Sequence, residues 1–185
     1  WDEHNFYRNS FQSYIVENTS FENTEDFILR KKKITGFGKI DITYDISKTK
    51  TLEYTGKFNS TNEKNSSDLT FNGDLLNEKT KSNNRFFDQK IVVTNKLKDN
   101  KVFLLTGRYI NEKAPQNYSV NQFLYADLFT VNANNTVQTS KNKMQFAGFE
   151  AHLMDKKTNG SLFELQIGNQ YRMDDLISNF QLKEN

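Results

Sequence analysis

The sequence of 185 residues contains no cysteine. That excludes disulfides, iron–sulfur clusters, thiolate zinc sites and a cysteine nucleophile. It contains a single proline, Pro115, and only 8 glycines, and no Pro-rich or Gly/Ser-rich linker divides it. Neither sign of charge dominates: 25 Lys+Arg against 23 Asp+Glu give a net charge of +2, too balanced for a protein whose main task is to neutralise nucleic-acid phosphates. No run approaches the ~18 consecutive apolar residues of a membrane helix, so the expectation is that nothing in the chain spans a membrane. Phosphate-loop chemistry is missing, because Gly36-Phe37-Gly38 lacks the third glycine and the following helix that a dinucleotide site needs. No Gly-x-Ser-x-Gly nucleophile elbow occurs either.

What the chain does have is aromatic mass: 16 Phe, 8 Tyr and one Trp. Each buries roughly 150–250 Å² when packed, and the count predicts a core plugged with phenylalanine. Period-2 alternation is the strongest pattern. Ile40, Ile42, Tyr44 and Ile46 fall on one side of a strand, with Lys39, Asp41, Thr43 and Asp45 on the other, as in a half-buried strand. A polar turn over residues 47–50 leads into Leu52, Tyr54 and Phe58. Further alternating or apolar runs cover residues 69–75, 90–95, 102–110, 122–131, 144–154 and 162–167, with turns expected at Lys98-Asp99-Asn100 and at Asn159-Gly160. Residues 59–67, 77–87, 111–121 and 132–143 read as polar loops.

Eight strand candidates joined by short connections predict an all-β, eight-stranded antiparallel up-and-down barrel, with a β-sandwich as the alternative. The flanks read differently. Tyr7, Phe11, Tyr14 and Ile15 stand at helical spacing, as do Leu176, Ile177 and Phe180, so short helices are expected at both ends. The division is a 1–33 extension packing on the barrel, a 34–168 barrel and a 169–185 tail. Phe103 and Leu105 alternate with Val102 and Leu104, apolar on both sides, as do the residues of 123–129. Such a wall needs an outer cover; the N-terminal segment is the nearest candidate, and a bound protein partner is the other.

Chemistry-bearing constellations are sparse. His152 and Met154 share a strand side, which makes haem ligation an alternative to a satisfied imidazole. Otherwise no cofactor or metal is expected. Glu150 and Glu164 lie on neighbouring strands, the arrangement a glycan-acting enzyme would need, though a cross-strand polar pair is the commoner role. The chain reads as non-enzymatic. Exposed-loop residues Arg85, Phe86, Phe87, Lys113 and Tyr118 are the candidates for partner binding, because Arg and aromatic residues anchor protein interfaces.

Three stretches resemble a known family: residues 38–46 followed by their polar turn, residues 105–111, and Phe146-Ala147-Gly148-Phe149 with Thr158-Asn159-Gly160 and 163–168. They are similar to the C-terminal barrel of bacterial surface lipoproteins of the factor-H-binding and transferrin-binding-protein-B type. The resemblance covers about residues 36–168. It implies a monomeric surface protein, lipid-anchored to the outer membrane through a cysteine upstream of Trp1 and recruiting a host serum protein. Complement factor H, for complement evasion, is first among the implied partners. A haem or small apolar ligand carrier is the alternative the same resemblance allows. The start at Trp1 rather than Met fits the mature part of an exported protein.

Overall fold

The computed structural model describes residues 1–16, 19–122 and 135–183. They form eight antiparallel strands and, among the described residues, no helix: β1 (Asp2–Val16), β2 (Thr19–Ser47), β3 (Lys50–Phe71), β4 (Asp74–Lys96), β5 (Lys101–Lys113), β6 (Gln116–Val120), β7 (Asn135–Lys156) and β8 (Leu162–Lys183). All belong to one sheet.

β5 and β6 occupy a single lane. Arg85 pairs with Lys113 and Ser82 with Gln116, so the register of β4 continues unbroken across Ala114-Pro115. On the other side β7 pairs with both pieces in one register. Proline donates no ladder hydrogen bond and is normally confined to edges. Here it interrupts an inner lane briefly, and the carbonyl of Pro115 still accepts from the Asn83 N–H at 3.1 Å. The sheet is therefore a meander of seven lanes, with β1 and β8 as its edges. No pairing joins β1 to β8 among the described residues.

The strands are long. β2 has 29 residues, and β3, β4, β7 and β8 have 22 or 23 each, against a usual 3–10. At about 3.3 Å per residue β3 extends ~70 Å. Such strands are made by uninterrupted ladders and by tight turns at fixed places. Asn72 and Gly73 have φ of 49° and 92°, the two positive values a two-residue type I′ hairpin requires. Asp99 and Asn100 are also left-handed, at 61° and 58°. The Asn159 side chain accepts from the Ser161 N–H at 3.0 Å and closes the β7–β8 turn with Gly160 at φ 85°.

The expected phenylalanine-filled interior is not what forms. Val120 is the one buried hydrophobic residue among those described, while Phe6, Phe11, Phe37, Phe58, Phe149, Phe163 and Phe180 are exposed. The accessible surface is 13814 Å², where a compact 21.7 kDa chain shows about 9,200 Å². Among the described residues the strands form one layer, and no element packs against either of its faces.

Several sequence expectations are corrected by these strands. The segments expected as terminal helices are β1 and the end of β8. Tyr7, Phe11 and Ile15 stand four apart, a spacing that shares one side in a strand as well as in a helix, and Phe, Tyr and Ile favour strands. β1 pairs edge-to-edge with β2 and lies over no part of β5, so it does not cover Val102–Leu105. β2 runs without a break through position 33, and β8 through position 168. The stretches read as loops at 59–67 and 77–87, and the described parts of 111–121 and 132–143, lie almost wholly in β3, β4, β5, β6 and β7. Most of the strand expected over 122–131 lies outside the described residues.

Candidate functional site

Antiparallel partners point to the same side of a sheet, so the register sorts every side chain onto one of two faces. One row runs Ile40, Gly56, Gln89, Tyr109, Ala147 and Tyr171 across β2 to β8. On that face, toward the end carrying the turns at 48–49, 97–100 and 157–161, most residues are apolar, with Asn169 and, next to the turns, Lys101 and Asp155 among the exceptions. Ile42, Tyr44 and Ile46 come from β2, Leu52 and Tyr54 from β3, and Ile91 and Val93 from β4. Phe103 and Leu105 follow from β5, Phe149 and Leu153 from β7, and Phe163, Leu165 and Ile167 from β8. Several are more than half exposed: Tyr44 is 62%, Phe149 56% and Ile167 65% accessible.

This apolar band is bounded. Along β3 it ends at Phe58, along β4 at Phe87 and along β5 at Tyr109. There the Tyr109 hydroxyl accepts from Asn111 at 3.2 Å and from Gln145 at 3.3 Å, which marks the change to polar surface. The stretch from Phe163 to Met173 on β8 covers about 33 Å along the strand. Measured from the row through Ile40 and Tyr171, the β2–β3 turn lies about eight residues away, the β4–β5 turn about nine to ten and the β7–β8 turn about twelve. The turns thus step by about one residue, ~3.3 Å, for each ~4.8 Å lane. If they lie in one plane, the strands tilt by roughly 35° from its normal, within the range of membrane barrels.

The opposite face carries most of the charged and polar residues at the same heights, although β5 places Val102 and Leu104 there and β7 Phe146 and Met154. Arg108 donates from Nε and Nη2 to the two carboxylate oxygens of Asp88, both at 2.9 Å, the bidentate geometry of a strong pair. Lys39 bridges to Asp41 at 2.7 Å, and Thr55 donates to the same carboxylate at 3.0 Å. Thr51 donates to Asp45 at 3.0 Å. Lys90, Thr106, Arg108, Glu150 and Gln170 line a concavity of about 280 Å³ on this face. Polar side chains joined by ion pairs, spread over a face with no core against it, are suited to water.

Beyond the band, β1–β2 and β3–β4 project much further than the strands do at the other end. From Phe58 to Phe71, β3 runs on for 13 residues, about 43 Å. Arg30 donates to Asp68 at 2.6 Å in this projecting part. That bond, helped by a second from Asn77, holds the Asp68 carboxyl below the usual carboxylate range, and Asp68 in turn raises Arg30.

The partner-binding candidates are on strands rather than in exposed loops. Arg85, Phe87 and Lys113 share the apolar side, with Arg85 directly opposite Lys113 just above the band. Phe86 points to the other face. Tyr118 is in β6, and its hydroxyl donates to Glu78 at 2.8 Å. The sheet brings three of the five together. His152 is on the polar face with Met154, and its Nε2 is buried without a hydrogen bond, 3.9 Å from Glu164. Glu150 and Glu164 share that face but are not opposite: Glu150 faces Gly168 and Glu164 faces Met154. Among the described residues no group of three or more His, Asp or Glu is placed to hold a metal ion. The contrast between sides legible in Lys39–Ile46 continues in register into β3 and β8, while β5 is apolar on both sides; the register that aligns these strands is what the sequence alone does not display.

No family model and no curated protein matches the chain. Among solved structures, OccAB4 of Acinetobacter baumannii aligns at 8% identity over 92% of this chain and 57% of that one, with a TM-score of 0.20. OccK3 (OpdO) of Pseudomonas aeruginosa aligns at 6% identity over 95% and 70% with a TM-score of 0.14, and the membrane pore complex of pneumolysin at 8% over 95% and 42% with 0.17. The chain thus spans little more than half of OccAB4, and at these scores no shared fold is established.

Proposed function

We propose that the chain forms part of the wall of a membrane-spanning β-barrel at the bacterial surface, its apolar face against lipid and its polar face lining a water-filled interior. The observation that supports this is the exposed apolar band, bounded at both ends and backed on most of its strands by charged residues at the same height. Water on both sides leaves that band unexplained, since contiguous apolar surface of this extent is rare on soluble proteins. Lipid needs no second layer, and strands cross it in 9–11 residues. The ~18-residue criterion concerns helices, and the described residues contain no membrane helix. The outward apolar band flanked by aromatic residues, short turns at one end and long projections at the other form the pattern of an outer-membrane wall. A sheet edge cannot lie bare in lipid; at the height of the band those edges are β2, which β1 pairs only up to Lys33, and β8, and there further strands complete the circle.

The test is folding into phosphatidylcholine vesicles from urea. The protein should become protease-resistant and strand-rich there. Ile42→Lys, at mid-band, should lower its stability in vesicles by about 2–4 kcal/mol, whereas Thr43→Lys on the polar face should change little. Equal effects, or no insertion by the unsubstituted protein, would refute the reading.

The role as a recruiter of a host serum protein such as complement factor H fits the same architecture as a second reading. The β1–β2 and β3–β4 hairpins rise far above the band, in the position from which a surface protein meets a macromolecule. Retention of factor H from serum at near-physiological salt supports it, and no retention counts against it.

A further inference from the structure

Directly opposed like charges destabilise a sheet, yet two ladders of them cross this one on the apolar side. Lys32 faces Lys64, and Lys64 faces Lys81, across β2, β3 and β4. Arg85 faces Lys113, and Lys113 faces Lys143, across β4, β5 and β7. The second ladder is four residues nearer the turn end than the first, and two lanes further along. With the strand tilt of roughly 35° the two therefore lie within about two residues of one height, the second about two to four residues and the first about six residues beyond the last apolar residues of the band. Carboxylates stand only at the ends: Glu3 is 3.6 Å from Lys32, and Asp175 is opposite Lys143. Lys64, Lys81, Arg85, Lys113 and Lys143 make no ion pair among the described residues. At the first ladder a groove of about 510 Å³ opens, lined by Arg30, Lys32, Lys64, Lys79 and Lys81.

Six cations in two triplets would repel one another wherever the only counter-charge is dilute salt. We propose that the two ladders form a collar that binds the phosphate groups of anionic lipids, whose acyl chains lie along the band below. This rests on the reading of the band as lipid-facing and adds the headgroup chemistry. Continuity with the band favours lipid over soluble phosphate: on the same side Arg85 stands two residues (~7 Å) from Phe87 and Lys113 four residues (~13 Å) from Tyr109, with Lys64 six residues (~20 Å) from Phe58. Each cation near an anionic surface strengthens binding on the order of fivefold.

The experiment compares the unsubstituted protein with two triple variants, Lys32→Gln/Lys64→Gln/Lys81→Gln and Arg85→Gln/Lys113→Gln/Lys143→Gln. Thermal unfolding is followed in pure phosphatidylcholine vesicles and in vesicles carrying one-fifth phosphatidylglycerol. In neutral vesicles each variant should be at least as stable as the parent, because repulsion has been removed. In anionic vesicles the parent should gain stability, and the variants should lose most of that gain, with the difference shrinking in high salt. A parent indifferent to anionic lipid, or variants that keep the full gain, would overturn the collar. So would variants equally destabilised in both lipids, since the cations would then be structural. Inorganic phosphate added to neutral vesicles is the third arm, and full stabilisation by it would assign the site to free phosphate instead. Failure of the parent to insert into either vesicle removes the lipid-facing reading itself, a result distinguishable from insertion without lipid preference.

Discussion

The ring of Tyr54 lies over Gly56 on the apolar face. A Cβ built at position 56 would meet the Tyr54 hydroxyl at 2.8 Å and Ile40 Cγ2 at 3.1 Å. The absent side chain leaves a place for an aromatic ring two residues away, a device that covers a glycine in a sheet. Gly56→Val should therefore expel the ring and destabilise the sheet by about 1–3 kcal/mol. In a Tyr54→Ala background the same substitution should be much milder. Urea titration of the four-member cycle measures the coupling, and additive effects would show that ring and glycine do not interact.

Gly73 carries the β3–β4 turn at φ 92°. Asn72 ties that turn to β2 by accepting from the Thr24 N–H at 2.8 Å and donating to Asn23 at 2.9 Å. Gly73→Val places a β-branched residue in the left-handed region, at a strain of about 1–2 kcal/mol. The expected outcome is local: faster amide exchange over the projecting part of β3 and β4, with the band near Ile91 unchanged. Uniform loss of protection would contradict it.

The Arg30–Asp68 pair gives the projection a pH dependence. The Asp68 carboxyl is held below its ordinary value, chiefly by the hydrogen bond from Arg30. Its contribution is therefore present above the unfolded carboxylate value of about 3.9 and is lost as pH falls through the lower folded value. Exchange protection around Asp68 should hold from neutral pH to about pH 4 and fall below it. Asp68→Asn should start lower and be flatter across that window. The pair is half exposed, so the effect is small; an unchanged profile in the variant would show that another group is titrating.

How far the sequence reveals this fold depends on the difference between the two faces. Lys39–Ile46 is legible because its sides contrast, and Asp99-Asn100 and Asn159-Gly160 are legible as turns because their backbone needs are local. Above the band both faces of β3 and β4 are polar, the contrast disappears, and 59–67 and 77–87 resemble loops although the ladder continues through them. The Asn72-Gly73 turn hides in the series Leu69, Phe71, Gly73 and Leu75. A two-residue turn keeps that odd spacing while moving Leu75 to the face opposite Phe71. The phenylalanine count measures apolar area but carries nothing about whether that area meets protein or lipid. The two cationic ladders are invisible without register, since Lys64 and Lys81, or Lys113 and Lys143, become neighbours only through pairing.

The absence of cysteine makes the most direct measurement clean. Single substitutions along β4, from Phe87→Cys to Thr94→Cys, would each carry one environment-sensitive fluorophore in the vesicle-inserted protein. Positions 87, 89, 91 and 93 should be quenched by a lipid-borne quencher, and 88, 90, 92 and 94 by a water-soluble one, alternating at every step. A profile without two-residue alternation, or one with Ile91 and Val93 reached only from water, would contradict a lipid-facing wall.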